Sequence, residues 1–298
     1  MKTLSFVTLF ALAACSSSAK QPPPAPGGDG DGAGRIHAFT IGALEAIALQ
    51  DGELTMPNDG KVLGMGHVEE TGDILEAAGL PRDQLQLSIQ PLLVKAGGRV
   101  LLFDTGAGGS IPNTGWLRSS LTKAGVAPAD VTDIFISHAH LDHMGGLVGA
   151  DGALVYPDAA IHLSAPEWAA LRVQPEDKAV ADAITAKVTA FEPGAEILPE
   201  VRAVATPGHT PGHSSYAIGT GDERLFYLGD VAHHFVVSVQ RPAWSIQFDL
   251  DHAAAEAMRQ QTLSTLAADH TRVYAVHFPF PGLGHVADQG GALVWEAE

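Results

Sequence analysis

From residue 35 onward, short apolar runs alternate with longer amphipathic stretches. The runs at 36–41, 43–49, 89–95, 100–103, 133–136, 160–163, 201–205, 215–218, 225–228 and 273–276 are mostly rich in β-branched or aromatic residues. Gly, Pro or Asp bounds most of them, a pattern that predicts strands. The stretches at 69–78, 114–124, 165–171, 176–190 and 251–268 predict helices. The last is rich in Ala, Gln, Leu and Met, with Asp249 and Asp251 before it as candidate caps. Strands interleaved with helices throughout indicate a layered α/β architecture rather than an all-β one. No short-period repeat and no second Pro/Gly linker interrupts residues 35–298, which read as one domain.

The N-terminal segment has a different pattern. Lys2 and the apolar stretch from Leu4 to Ala14 are too short to span a bilayer and read as a signal peptide over 1–14. Leu12-Ala13-Ala14-Cys15 resembles the bacterial lipobox, so Cys15 is the expected lipidation site, with a plain cleavable signal as the alternative. Residues 15–34 are dominated by Pro and Gly beyond the serines and contain no large apolar residue. They are expected to form an unstructured tether with a reach on the order of 25 Å. Ser16 after the lipidated residue resembles sorting to the outer membrane of Gram-negative bacteria, so the expected location is periplasmic and lipid-anchored.

Composition narrows the chemistry. Cys15 is the only cysteine in 298 residues, leaving no disulfide and no thiolate metal site. With 17 Lys+Arg against 34 Asp+Glu the chain carries −17, a field that repels phosphate backbones and argues against a nucleic-acid partner. Fourteen histidines are a generous supply of the commonest metal ligand. Four ligand-type residues fall within the six residues His138-Ala139-His140-Leu141-Asp142-His143, directly after the apolar run Ile134-Phe135-Ile136. In extended backbone His138 and His140 point to one side. A turn into a helix at Asp142 presents Asp142 and His143 from another direction. Two groups of ligands facing one cavity suit two adjacent metals better than one, and Gly145 and Gly146 permit close backbone approach beside them.

HxHxDH after an apolar strand resembles the metallo-β-lactamase superfamily of hydrolases, and further landmarks follow in order. Phe103-Asp104-Thr105-Gly106 matches its FDTG turn, residues 206–213 (TPGHTPGH) its ligand loop, Tyr227-Leu228-Gly229-Asp230 its strand-end GD, and Val276-His277 its last strand-end histidine. The resemblance implies an αββα four-layer sandwich with metals at one edge of the sheets. It places a first metal on His138, His140 and His209, a second on Asp142, His143 and His277, and Asp230 between them. His213 falls beside the ligand set. Seven His or Asp donors suit two divalent ions, with zinc the expected metal. The implied nucleophile is a hydroxide bridging the metals, with Asp142 as the catalytic residue that steers it and passes its proton to the leaving alkoxide.

Three features narrow the branch. The β-lactamases with a Cys ligand are excluded, other zinc β-lactamases lack an acid at the position of Asp230, and His140 argues against the diiron redox members. Residues 277–285 (HFPFPGLGH) are similar to a segment of methyl parathion hydrolase-like enzymes. Their layout also agrees with a GD followed by His233, Gln240, an extended stretch to Phe248, then Asp249 and a helix. This branch implies hydrolysis of small neutral lactones, esters or phosphotriesters in a pocket with Trp168, Phe278, Phe280 and His285 in its walls. Core packing is the alternative for Trp168, Phe278 and Phe280. His67, His162, His252 and His270 read as structural. Two other readings stand beside this one: a metallo-β-lactamase acting on β-lactams, and a membrane-tethered zinc-binding lipoprotein without enzymatic activity. The oligomer is left open, with a homodimer as one candidate.

Overall fold

A computed structural model describes residues 34–298 except 222. The expected signal peptide, Cys15 and almost all of the tether lie outside the described residues. The first sheet takes β1 (Ile36–Ile41), β2 (Leu44–Leu49), β5 (Leu92–Ala96), β6 (Arg99–Phe103), β7 (Asp133–Phe135), β8 (Ala160–Ser164) and β9 (Val188–Phe191), in that spatial order. The second runs β10 (Glu196–Leu198), β11 (Val201–Ala205), β12 (Ser214–Ile218), β13 (Leu225–Tyr227), β14 (Arg272–Tyr274), β15 (Leu283–Gln289) and β16 (Ala292–Ala297). A separate two-stranded antiparallel sheet pairs β3 (Gly52–Pro57) with β4 (Gln84–Ile89).

Alternation along the central strands builds the layers. Leu101 and Phe103 point into the core between the sheets, where they meet Tyr216, Tyr227 and Tyr274 from the second sheet. Leu102 and Ile134 point the other way, into an outer core with Leu117 and Leu121 of α2 (Leu117–Lys123), Leu171 of α4 (Ala165–Leu171) and Ile184 of α5 (Lys178–Ile184). On the second sheet Val273 and Val286 face Leu263 and Leu266 of α7 (His252–Ala268). Helix, sheet, sheet and helix are the four layers of a metallo-β-lactamase fold. A further apolar cluster joins the β3–β4 pair and α1 (Val68–Ala77), which lies between its strands, to Val237 of α6 (Val237–Gln240) and to Ile246, making a cap on the second sheet's side.

The predicted helix over 176–190 is half right. Helix ends at Ile184, and the β-branched stretch beginning at Val188 instead pairs in parallel with β8 as an edge strand. The β3–β4 pair and the β15–β16 hairpin go beyond the predicted strands; the hairpin turns on Gly290 and Gly291, both at positive φ. Parallel pairing of β6 with β7, and of β13 with β14, brings the C-terminal ends of all four strands to one edge. Asp104, His138, Asp230 and His277 follow those strands.

Candidate metal centre

Two donor groups form at this edge. Side-chain donors of His138, His140, His209 and Asp230 converge within 4.8 Å, as do those of Asp142, His143 and His277. His140 precedes the single turn α3 (Leu141–Met144), which carries Asp142 and His143. All seven expected ligands are therefore brought together. Asp230 joins the groups: its Oδ1 lies 3.1 Å from Nε2 of both His143 and His277, and its Oδ2 lies 3.3 Å from His209 Nε2.

The surrounding residues fix which nitrogen faces inward. Asp104 accepts hydrogen bonds from Ser137 N (2.7 Å), Ser137 Oγ (2.8 Å) and Tyr227 OH (2.7 Å), and its Oδ2 sits 2.8 Å from His143 Nδ1. With Nδ1–H donating to that carboxylate, Nε2 of His143 is left free for a metal. His277 does the same through the carbonyl of Ser88, and His209 through Asp249 Oδ1, at 2.8 and 2.9 Å. Burial alone would raise the Asp249 pKa, but the bond to His209 and the charge of Arg259 hold it at about 2. His213 uses Nε2 to accept the backbone N–H of Asp230 at 2.9 Å, while its Nδ1 faces Thr206 Oγ1 at 2.8 Å. Burial pushes its pKa down to about 4, so it stays neutral as that role requires. A Cβ on Gly229 (φ +57) would sit 2.6 Å from the same Nε2, which requires glycine there.

Glu167 belongs to none of the sequence motifs. It is buried at the start of α4 and ties two ligand loops together, with Oε1 accepting Ala139 N and Oε2 accepting Thr210 Oγ1 and Gly212 N, each at 2.8 Å. His233 is also buried, its Nε2 3.1 Å from Asp230 Oδ2 and its ring stacked 5.5 Å from that of His277.

Three expected pocket residues are placed elsewhere, and the fourth lies at the margin of the central core. Phe278 is fully buried in the outer core under α7, edge-on to Trp295 at 4.9 Å. Trp168 packs on the outer core of the first sheet, beside the guanidinium of Arg172. Phe280 borders the central core beneath Arg35. His285 pairs with Arg272 at the start of β14, the end opposite His277, and lies 3.4 Å from Glu298. Apolar side chains were drawn into the three cores, and an antiparallel partner carries His285 away from the edge that its own strand leaves. Phe278→Ala is thus expected to lower stability by about 3–5 kcal/mol, leaving the KM of the remaining folded enzyme unchanged. Denaturant unfolding and steady-state kinetics check this.

The donors fit two divalent ions. Nε2 of His209 is 3.2 Å from His138 Nε2 and 2.9 Å from His140 Nδ1, so lone pairs converge on one point. Buried His143 Nε2 and Asp230 Oδ1 have no hydrogen-bond partner. Imidazole and carboxylate donors without thiolate suit zinc. Electrostatics agrees: burial opposes charge on both partners, yet Asp230, Asp142 and Asp104 raise the His143 pKa well above its ordinary value, while His143 and His277 pull Asp230 well below its own. Divalent ions replace those protons. Zinc added to metal-free protein in weak buffer near neutral pH is therefore expected to acidify the solution. Uptake without proton release would mean that the imidazoles were already neutral.

A paired His/Asp centre at the sheet edges of an αββα sandwich defines a class of two-metal proteins. The chain belongs to the Metallo-beta-lactamase superfamily, whose family pattern matches residues 87–277. The solved structure of AidC, a dizinc quorum-quenching lactonase in complex with its product N-hexanoyl-L-homoserine, is similar at 32% identity and a TM-score of 0.83, covering 89% of this chain and 98% of that one. AbOPH, a hydrolase in the beta lactamase superfamily, shares 26% identity over 88% of this chain and 97% of its own, with a TM-score of 0.77. An N-acyl homoserine lactonase of Bacillus cereus is 32% identical over 108 residues, 36% of this chain. That alignment spans only 41% of the relative's length.

Proposed function

We propose that this protein is a two-metal hydrolase that opens the ring of neutral lactones of the N-acyl homoserine class. The observation that carries the reading is the seven-donor cluster with Asp230 reaching both groups, on a chain similar over nearly its whole described length to a dizinc lactonase. His138, His140 and His209 would hold one ion and Asp142, His143 and His277 the other, with Asp230 shared. Ions bound there supply Lewis acidity and a nucleophilic water near neutral pH.

The chain's own residues do the rest. Water adds to the ester carbonyl carbon, the ring C–O bond breaks, and the alkoxide must gain a proton. Asp142 is the carboxylate placed to hold that proton. Its side chain is 20% exposed against 4% for Asp230, and its Oδ2 lies 3.6 Å from His277 Nε2 and 3.7 Å from His143 Nε2. Exposed Leu141 and Leu250 adjoin His140 and Asp249, putting apolar surface on backbone next to site residues, which suits a substrate with an acyl tail.

The test is turnover by residues 35–298 of a long-chain acyl homoserine lactone, a paraoxon-type triester, nitrophenyl acetate and nitrocefin, with metal content measured on the same sample. Lactone hydrolysis at two ions per chain, lost in His138→Ala, supports the reading. Triester or ester turnover without lactone turnover overturns the substrate class, and nitrocefin turnover alone moves it to β-lactams. Two ions with no turnover would leave the fold and metal centre intact and overturn the substrate class. The N-terminal reading is proposed alongside: in the full-length chain Cys15→Ser is expected to move the protein from the membrane to the soluble fraction.

A further inference from the structure

Arg259 of α7 is only 1% exposed, and its contacts reach well beyond the charge it places beside Asp249. Its hydrogen bonds run in three directions. Nη2 donates to Asp249 Oδ2 at 2.7 Å, Nε to the carbonyl of Val231 at 2.8 Å, and Nη1 to the carbonyls of Pro242 and Trp244 at 3.2 and 2.9 Å. Three of these four acceptors lie one step from a functional part. Asp249 presents its other oxygen to His209 Nδ1. Val231 follows Asp230 in the chain. Trp244 stacks at 4.3 Å on His67, which precedes α1 of the cap.

We infer that Arg259 is a positioning residue for the first metal group: it fixes His209 through Asp249, fixes Asp230 through the backbone at Val231, and couples both to the seating of the cap. A planar fork with five donors can hold a carboxylate and several carbonyls in fixed directions at once, whereas lysine offers three donors from one point. The second group meets Arg259 only through the shared Asp230. His277 rests on Ser88 and His143 on Asp104, neither of which Arg259 touches. The inference rests on the two-metal reading of the site and not on the substrate.

The distinction between the two groups supplies the test. Arg259→Lys and Asp249→Asn, made in the full protein and loaded with two cobalt or zinc ions, are compared with the unchanged protein by competition with a chromophoric chelator. Residues that only orient a ligand shift metal affinity by roughly 10–100-fold. The ion of the first group is expected to become labile by that factor while the other loses distinctly less, and the cobalt visible spectrum should change mainly for one site. The double variant is expected to lose less than the sum of the two single losses, because both substitutions act on His209. Turnover of whichever substrate the enzyme accepts should fall in kcat more than it changes KM. Two ions held as tightly as before in a folded Arg259→Lys would overturn the inference. So would equal loosening of both ions in step with a lowered melting temperature, the signature of a merely structural arginine. If Arg259→Lys does not fold, Asp249→Asn reads the same ion, and unchanged affinity there also overturns it. Loss of the ion without any lactone turnover in the parent would leave this inference standing and remove the proposed function.

Discussion

Asp230→Asn is expected to release at least one metal ion on dialysis and to cut lactone hydrolysis by more than about 100-fold, the upper end for residues that merely orient a ligand. The expectation follows from geometry. Each carboxylate oxygen faces a different donor group, Oδ1 toward His143 and His277 and Oδ2 toward His209. Asparagine keeps the volume but has one ligating oxygen, and its amide nitrogen cannot serve a cation. The substitution also removes one of the negative charges that offset two dications, in a residue buried among imidazoles. Asp142→Asn makes the useful contrast, since Asp142 belongs only to the second group and its loss should loosen one ion. Metal analysis after dialysis, with circular dichroism of the metal-free form to verify the fold, decides between them. Two retained ions and less than a tenfold loss of rate in Asp230→Asn would end the shared-ligand assignment.

How legible each ligand was depends on its distance from the others along the chain. His138, His140, Asp142 and His143 stand within six residues after an apolar strand, so period-two geometry alone exposes them as two groups. His209, Asp230 and His277 are far apart, and only the family resemblance joined them to the first four before the parallel pairing of β13 with β14 did so in space. Residues that orient the ligands were harder to read. Asp249 looked like a helix cap because two aspartates precede α7; Asp251 caps the helix, accepting from Ala254 N at 3.0 Å, and Asp249 turns to His209 instead. Ser88 acts through its backbone carbonyl, which carries no side-chain signal at all. The aromatic residues failed for a different reason. Phe278 and Trp168 adjoin ligand-bearing or ligand-tying residues in sequence, but consecutive side chains diverge, by about half a turn in extended backbone and about 100° around a helix, so the neighbour of a site residue falls into the core.

The fold shows the same division. Central strands such as Leu101-Leu102-Phe103 bury both faces, one in each core, and read as continuous apolar runs. The β15–β16 hairpin is partly exposed with a mixed pattern, and only Gly290-Gly291 marked it as a turn between strands. The β3–β4 pair of the cap does alternate, with Leu54 and Met56 opposite Leu87 and Leu85. Its partner surface lies some 150 residues later at Val237 and Ile246, so no local pattern indicates what it covers.

Glu167→Ala is expected to lower stability by about 3 kcal/mol or more and to loosen the first ion, because it strands buried donors in two loops at once. Ala139 N sits between His138 and His140, while Thr210 Oγ1 and Gly212 N follow His209. Those loops supply three of the four donors of the first group, and Glu167 is the side chain that accepts from both. A Cβ on Gly212 would lie 2.3 Å from Glu167 N, so glycine there lets the ligand loop close onto the start of α4. Glutamine is a graded control. Its oxygen can take over Ala139 N and its amide can donate to a rotated Thr210 hydroxyl, but Gly212 N–H is then left facing an N–H, a cost of about 1–3 kcal/mol. Stability is therefore expected to fall in the order wild type, Gln, Ala. Excess zinc should recover part of the loss by mass action, worth about 2.7 kcal/mol at a hundredfold over the dissociation constant, because the ion pulls together the same loops that Glu167 ties. Melting curves with and without zinc measure both effects. An alanine variant that melts like the wild type and holds its ions would show that the loops converge without this carboxylate.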